Sequence, residues 1–298
     1  MKRYAIPLKI LLSLALLWIV FSKLDANAVF QALVKIDGRG ALVALLLVPA
    51  SFFLETMKWK TLMARQEPSL SFLDALRSAL IGTAGAIATP LHIGKYVAQM
   101  WFHADVPKAR LLALVFLNGQ ILGAFTLLFG LPSLAIVFGL VGETALSWLF
   151  VALSLAATLL SLALILIPKS RLPIPDSLKF LLEYSPAEWA KATLYGFLRH
   201  AVSTVQFCLL INACLGEGAM PFGLALVAVS SIWLAKAVAP FFVGDLGLRE
   251  ATAAYFLGAL GYSAEAGVAA SLLIFTMNLL LPALVGLSAI PKLRFSTS

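Results

Sequence analysis

Long apolar stretches are the feature that most constrains how this sequence can fold. A helix that spans a bilayer needs about 20 mostly apolar residues, and each Lys, Arg or Asp at its centre costs about 2.5–3.5 kcal/mol on insertion scales. A stretch of this kind begins after Arg110 and runs from Leu111 to Phe129, or on to Leu140 with a bend near Gly130 and Pro132. Five further stretches have the required length, and they cover residues 5–22, 41–63, 145–167, 192–215 and 266–290. The sequence therefore predicts an all-α polytopic membrane protein with about six transmembrane helices.

The composition excludes an ordinary soluble domain. Of the 298 residues, 61% are hydrophobic and 12% are charged, whereas soluble domains are about 45–50% apolar and about 25% charged. The net charge of +8 would suit nucleic acid, but a few Lys and Arg in each membrane loop give the same sum by orienting the protein. We therefore expect no nucleic-acid partner, and the sequence indicates neither a metal site nor a cofactor.

The distribution of Lys and Arg predicts the orientation, because cytoplasmic loops carry an excess of both. With the N-terminus in the cytoplasm, 15 of the 22 basic residues fall on that side, and the opposite side receives only Lys23, Lys35 and Arg39. Both termini are therefore expected to be cytoplasmic. The remaining four basic residues lie at membrane depth or near the end of a span: Lys95, Arg199, Lys236 and Arg249.

Several helix starts are marked by capping residues. Ser185, Pro186 and Glu188 supply a cap, a proline at the first helical position and a capping-box acid before the fourth span. Ser263 is predicted to cap the last span. Asp25 is predicted to cap a short amphipathic helix that ends at Gly38 and lies in the membrane interface.

Two segments, residues 72–104 and 222–260, are apolar enough to enter the membrane but are broken in the middle. In the first, Pro90 is followed four residues later by Gly94 and then by Lys95. In the second, Pro240 is followed in the same way by Gly244 and Asp245. The same order of residue types thus recurs 150 residues later.

The loop charges require each broken segment to return to the side from which it entered, so each is predicted to be a re-entrant hairpin. One membrane domain, residues 1–298, then divides into a first repeat, 1–140, and an inverted second repeat, 141–298. Interrupted helices at matching positions of inverted repeats are typical of the central site of a transporter. The alternative is that these are ordinary kinks, since Pro and Gly are common in membrane helices.

Glycine-rich motifs at both breaks resemble those of a known family. The stretch Gly244-Asp245-Leu246-Gly247-Leu248-Arg249-Glu250, followed by Leu257-Gly258, is similar to the GGxGxRE signature of the lysylphosphatidylglycerol synthase transmembrane region, also called flippase-like integral membrane proteins. Ile81-Gly82 and Pro90-x-x-Ile93-Gly94 resemble its first hairpin motif, and Lys58-Trp59 stands where it often has Arg-Trp. The chain departs from the family at Leu91-His92, where Gly-Arg is usual, and at Lys95, where an acid is usual.

This resemblance implies lipid translocation in the bacterial cytoplasmic membrane. The family is similar to the membrane half of bacterial enzymes that attach amino acids to phosphatidylglycerol and move the product to the outer leaflet. Stand-alone members are associated with lipid, lipid-linked glycan and hopanoid pathways. The expected partners are therefore membrane lipids of the phospholipid, polyprenyl-linked or hopanoid type, together with a lipid-synthesising enzyme.

Charged residues near the breaks are the candidates for a site. Asp245 and Arg249 are four residues apart, share a helical face and can pair, while Glu250 points about a third of a turn away. An intramembrane ion pair is a functional hypothesis by default, although it can also simply hold helices together. The candidate headgroup ligands are Arg249, Lys236, Lys95 and His92, the candidate coupling or pairing acids are Asp245 and Glu250, and the hairpin breaks are Pro90, Gly94, Pro240, Gly244 and Gly247.

Other polar residues within the spans are interpreted as contacts that stabilise the fold. Five amide residues are expected to hydrogen-bond between helices, as such groups usually do, with a role in a cavity as the alternative: Asn118, Gln120, Gln206, Asn212 and Asn278. Glu55 and Lys58, three residues apart, are interpreted as an interfacial pair, and His103 and His200 are also placed at the interface.

The function that these features favour is a lipid flippase that is not an enzyme, because no catalytic motif is present. An anionic headgroup would bind in a cavity between the hairpins while its acyl chains stay in the bilayer. The alternatives are a secondary transporter of a small soluble anion and a non-transporting accessory of a lipid-modifying enzyme.

Overall fold

The computed structural model describes residues 22, 24–89, 93–166, 176–238 and 247–288, and within these ranges every regular element is helical. This confirms the all-α fold. Short 3₁₀ segments occupy Asp176–Glu183 and Gly216–Gly218, and a π-helical turn, Thr276–Leu280, joins the last two helices. The α-helices are α1 (Ala26–Val34), α2 (Gly38–Met63), α3 (Phe72–Ala88), α4 (Ile93–Phe102), α5 (Lys108–Leu140), α6 (Thr144–Leu166), α7 (Pro186–Leu215), α8 (Phe222–Val238), α9 (Leu248–Ala259), α10 (Ala264–Phe275) and α11 (Leu281–Ser288).

Four helical segments of the described chain are long and apolar enough to cross a membrane. They are Gly38–Met63, Lys108–Leu140, Pro186–Gly218 and Ala264–Ser288. Each overlaps a predicted span, and α5 continues through Pro132 to Leu140 as a single helix. The predicted span 145–167 corresponds to α6, and the predicted span 5–22 lies, apart from residue 22, outside the described residues.

The predicted N-terminal caps are confirmed, but the short helix after Asp25 ends at Val34, and Gly38, its predicted end, is the first residue of α2. The Ser185 hydroxyl accepts a hydrogen bond from the Glu188 amide (3.2 Å), and the Glu188 carboxylate accepts one from the Ser185 amide (2.7 Å). Ser263 accepts from the amide of Ala266 (3.1 Å) and Asp25 from that of Asn27 (2.8 Å). These bonds satisfy amides that have no partner within their helix.

Contacts between distant helices set the arrangement of the core. Helix α2 packs along α7, α5 packs on α8, and α11 packs on α3. Glycines allow α5 to lie close to α8 and α11 close to α3. A Cβ added to Gly130 would overlap Leu234, and one added to Gly286 would overlap the Leu80 backbone. Large apolar side chains such as Leu46, Trp148 and Leu159 remain exposed on the outside, as expected of surfaces that face lipid.

Both segments predicted to be broken are interrupted helices. Helix α3 ends at Ala88 and α4 begins at Ile93; α8 ends at Val238 and α9 begins at Leu248. Helices α3 and α4 run antiparallel, and the Thr89 hydroxyl joins them by accepting from the Gly94 amide (2.6 Å) and donating to the Gly85 carbonyl (3.0 Å). A Cβ on either glycine would overlap the carbonyl of the other, so the two backbones can touch only because both side chains are absent.

The remaining predicted break residues have different outcomes. Gly247 directly precedes α9 with a φ of +87°, a left-handed conformation that favours glycine. Pro90, His92, Pro240, Gly244 and Asp245 lie outside the described residues.

Candidate functional site

A cavity of about 440 Å³ lies among helices from both halves of the chain. Its walls come from α2, α5, α7, α8 and α9 and from the end of α10 with its π-helical turn. Gly119 and Gly123 of α5 widen it, because a Cβ at either position would meet no atom within 4 Å. The charged and polar lining residues are Ser51, Gln120, Thr126, Arg199, His200, Ser203, Trp233, Lys236, Arg249 and Asn278.

Arg249 lines this cavity and is held by a hydrogen-bonded network. Its Nη2 donates to Glu250 Oε1 (3.0 Å), its Nε donates to Ser271 Oγ (2.9 Å), and that hydroxyl donates to the same Glu250 oxygen (2.9 Å). The other Glu250 oxygen accepts from the Gly247 amide (2.8 Å). Arg249 and Glu250 are 1% and 0% exposed, so the pair is buried and its charges compensate each other.

Glu250 is therefore a partner of Arg249, although helical spacing favoured Asp245. Adjacent residues on a helix point in different directions, but the long side chains of Arg and Glu can turn toward each other, and Ser271 of α10 bridges them. The guanidinium also lies over the Phe275 ring, 5.3 Å from its centroid.

The predicted ligands Lys236 and Arg249 line the same cavity. Lys236 occupies the last turn of α8, and its ammonium lies 5.1 Å from the centroid of the Trp233 ring. Two of the candidate cations, one at the end of α8 and one at the start of α9, thus lie at the same cavity.

A second group of charges surrounds Glu55 of α2. Its Oε2 contacts Lys58 Nζ (3.0 Å) and Arg199 Nη1 (2.7 Å), and its Oε1 contacts Lys95 Nζ (3.7 Å). Asn118 Nδ2 donates to Oε1 (2.9 Å), and the main-chain carbonyl of Asn118 accepts from Lys58 (3.0 Å). We refer to these five residues as the Glu55 cluster.

The Glu55 cluster is a correction to the sequence interpretation. Glu55 and Lys58 were expected to form an interfacial pair, but Glu55 is 5% and Lys58 1% exposed. Lys95, predicted to be a headgroup ligand, contacts Glu55. The three-residue spacing reveals one contact within α2, whereas the partners on α4, α5 and α7 can be identified only from the tertiary arrangement. The one signal in the sequence was Arg199, a cation that lies well inside a span.

Arg199 connects the Glu55 cluster to the cavity. Its Nη1 donates a hydrogen bond to Glu55, and its side chain also lines the cavity. Its Nε is buried and has no hydrogen-bond partner in the described part of the chain. The cluster contains three cations and one carboxylate, which is a formal surplus of two positive charges.

The two histidines expected at the interface are buried. His200 is 6% exposed, stacks on Phe129 with ring centroids 5.7 Å apart, and lines the cavity. His103 is 3% exposed and contacts Glu67 (Nδ1 to carboxylate, 2.7 Å) and Ser78 (Nε2 to hydroxyl, 2.8 Å). Burial lowers the pKa of His103 below its usual value, although the Glu67 carboxylate acts in the opposite direction.

A second cavity of about 300 Å³ adjoins the first at His200, which lines both. Apart from His200 and three hydroxyl residues, Ser133, Thr204 and Ser230, its lining is apolar. The apolar lining residues are Phe129, Phe197, Ala201, Val205, Leu226 and Val227. We refer to it as the apolar chamber.

Three of the five amide residues within the spans, Asn118, Gln206 and Asn278, hydrogen-bond between helices as predicted. Asn212 instead bonds to the backbone of Met220, and Gln120 lines the cavity. Asn278 Nδ2 donates to Gln206 Oε1 (2.7 Å), and Gln206 Nε2 donates to the Ala44 carbonyl (2.8 Å). These bonds join α2, α7 and the π-helical turn beside the cavity.

Comparison with known proteins identifies the family. The family model described as the lysylphosphatidylglycerol synthase TM region matches residues 6–286, which is nearly the whole chain. No curated protein matches the sequence. The chain belongs to the lysylphosphatidylglycerol synthase TM region family, which confirms the resemblance carried by the motifs around Gly94 and Arg249.

Proposed function

Because the chain is a member of this family, we propose that it is a lipid flippase that moves an anionic or lipid-linked headgroup across the bacterial cytoplasmic membrane. The single observation that carries the proposal is the cavity of about 440 Å³ inside an apolar helical body, with Arg199, Lys236 and Arg249 in its walls. Charged side chains at membrane depth are costly and typically mark a substrate pathway. Three cations facing one cavity favour a negatively charged substrate.

The apolar chamber supports a lipid over a small soluble anion. It adjoins the cavity at His200, so a polar and an apolar compartment lie side by side. A lipid has the same division, with a charged headgroup covalently attached to acyl chains. A soluble anion would gain nothing from the second compartment.

The packing of the broken segments supports a transporter with re-entrant hairpins and inverted repeats. The span that follows each broken segment contacts the broken segment of the other half: α5 packs on α8, and α11, the end of the span Ala264–Ser288, packs on α3. The two central helices pack on each other, and the ion pair between Glu55 of α2 and Arg199 of α7 joins them. Movement of one half against the other would expose the cavity first to one leaflet and then to the other.

We propose transport and no catalysis, with membrane lipids and a lipid-synthesising enzyme as the partners and both termini in the cytoplasm. We propose that movement runs downhill or is coupled to an ion or proton gradient. The proposed coupling acids are Glu250, which pairs with the cavity-lining Arg249, and Asp245.

The test is a leaflet-accessibility assay in vesicles that contain the full chain and a fluorescent phosphatidylglycerol. Arg249→Ala is expected to slow lipid movement about tenfold or more, since a hydrogen bond to a charged group contributes about 1.5–3 kcal/mol. Lys236→Met provides a second variant that leaves Glu250 paired. Arg65→Gln is the matched control, because Arg65 forms an exposed ion pair with Glu188.

Two outcomes would contradict the proposal. If Arg249→Ala and Lys236→Met both moved the lipid as fast as the wild type, the cavity would not be the pathway. Uptake of a soluble organic anion, with no change in lipid sidedness, would indicate the alternative transporter.

A further inference from the structure

We infer that Arg199 forms a subsite for a phosphate group, with Glu55 as the residue that positions its guanidinium. The inference rests on the proposed function and deepens it by naming the chemical group that is bound and a further residue that binds it. The candidate ligands derived from the sequence did not include Arg199.

The unused hydrogen-bonding capacity of the cavity wall supports this subsite. In the described part of the chain, six buried side-chain atoms have no hydrogen-bond partner, and three of them belong to cavity-lining residues. Two of the three are donors, Arg199 Nε and Trp233 Nε1, and the third is Asn278 Oδ1. Buried donors are normally satisfied, so their collection at one cavity indicates a ligand that supplies acceptor oxygens.

The charge of the Glu55 cluster points in the same direction. One carboxylate serves Lys58, Lys95 and Arg199, and Lys58 shares Oε2 with Arg199. Among the three cations, Arg199 is the one that also lines the cavity. A negative group bound there would compensate the surplus charge without displacing the contact with Glu55.

The unpartnered donors of the cavity wall favour phosphate over carboxylate. Glu55 occupies Nη1 and leaves the Nε edge of the planar guanidinium for a ligand, an edge that binds phosphate oxygens well. Trp233 belongs to a different helix, α8, and contributes a second unpartnered donor to the cavity lining. A phosphate group carries more acceptor oxygens than a carboxylate and can therefore serve donors from both helices.

Arg249 differs, because Glu250 and Ser271 already occupy its Nη2 and Nε. Its charge is compensated by Glu250, while Arg199 contributes an open donor edge. The two arginines of the cavity therefore have different roles.

The test is binding to the detergent-solubilised full chain, with two phosphate sources measured separately. One is a short-chain fluorescent phosphatidylglycerol, with the matching diacylglycerol as its phosphate-free counterpart, and the other is inorganic phosphate. Arg199→Gln is expected to weaken phosphatidylglycerol binding about tenfold to a hundredfold and to leave diacylglycerol binding unchanged. Arg199→Lys keeps the charge but loses the planar guanidinium with its several donors, so an intermediate loss of phosphatidylglycerol binding is expected. The control Arg65→Gln should bind phosphatidylglycerol like the wild type.

The inference is overturned if Arg199→Gln, with an unchanged melting temperature, binds phosphatidylglycerol as tightly as the wild type. It is also overturned if binding of diacylglycerol falls by the same factor. Should Arg199→Gln not fold, Arg199→Lys decides: a loss limited to phosphate-bearing ligands supports the subsite, and wild-type binding refutes it.

The same measurements separate this inference from the proposed function. If inorganic phosphate binds through Arg199 but vesicles with the wild-type chain move no lipid, the subsite stands and the flippase proposal fails. If the wild-type chain moves phosphatidylglycerol and Arg199→Gln does so equally fast, the flippase proposal stands and the phosphate subsite fails.

Discussion

The two buried acidic residues beside the cavity differ in the number of cations that surround them. Glu250 faces one cation, Arg249, and its remaining contacts are neutral groups, Ser271 and the Gly247 amide. Glu55 faces three cations, Lys58, Lys95 and Arg199. Among the described residues, the first group is electrically complete without a ligand, whereas the second retains a formal surplus of positive charge.

The two groups also differ in how many helices they join. The Arg249–Glu250 pair lies within α9 and is bridged from α10, the next helix in the chain. The Glu55 cluster draws on α2, α4, α5 and α7 and so joins both halves. The pair stabilises a local connection, whereas the cluster holds together helices that are far apart in the chain.

Removal of the Glu55 carboxylate is expected to have the largest effect on stability. Glu55→Gln leaves three cations without their acid, and breaking a buried pair typically costs about 3–5 kcal/mol. The free energy of unfolding in detergent measures the loss. The matched control is Glu188→Gln, which breaks the exposed pair with Arg65, keeps the capping hydrogen bond and should cost about 0–1 kcal/mol. Equal losses in the two variants would mean that the Glu55 cluster is no more important than a surface ion pair.

A double-mutant cycle in each group is expected to have an intermediate effect and tests the charge balance directly. Removing both partners of the balanced pair, with Arg249→Met and Glu250→Leu, should cost about 1–3 kcal/mol less than the sum of the two single changes. For Glu55→Gln combined with Arg199→Gln, the cost should lie closer to the sum of the two single costs, because Lys58 and Lys95 remain without an acid. The free energy of unfolding in detergent measures both cycles. If the double variant fell short of the sum by the same amount in both groups, their charge balances would not differ.

The smallest effect is expected at Lys95. Its ammonium lies 3.7 Å from Glu55, farther than either of the other cations, and its side chain is 24% exposed. Lys95→Met should therefore change the free energy of unfolding by about 0–1 kcal/mol. A loss as large as that of Glu55→Gln would show that Lys95, and not Arg199, is the principal partner of the carboxylate.

Much of the fold could be predicted because it depends on local properties. The Ser185 capping box, the Ser263 cap and the breaks that precede α4 and α9 follow from residue types within a few positions of each other. The site was predicted only in part. Lys236 and Arg249, which the sequence singles out because they lie near a break, line one cavity, but Glu55 and Lys58 are buried among cations that the sequence left unconnected.

The sequence by itself determined which segments are apolar enough to cross a bilayer, where helices start and break, and to which family the motifs belong. Run length, capping and the lack of a side chain at glycine are properties of neighbouring residues. Only the tertiary structure decided that Glu55 meets Arg199, 144 residues away, and that the latter also faces the cavity. Which side chains meet depends on the depth and rotation of packed helices, and these are set by contacts such as those of α2 with α7, between segments far apart in the chain.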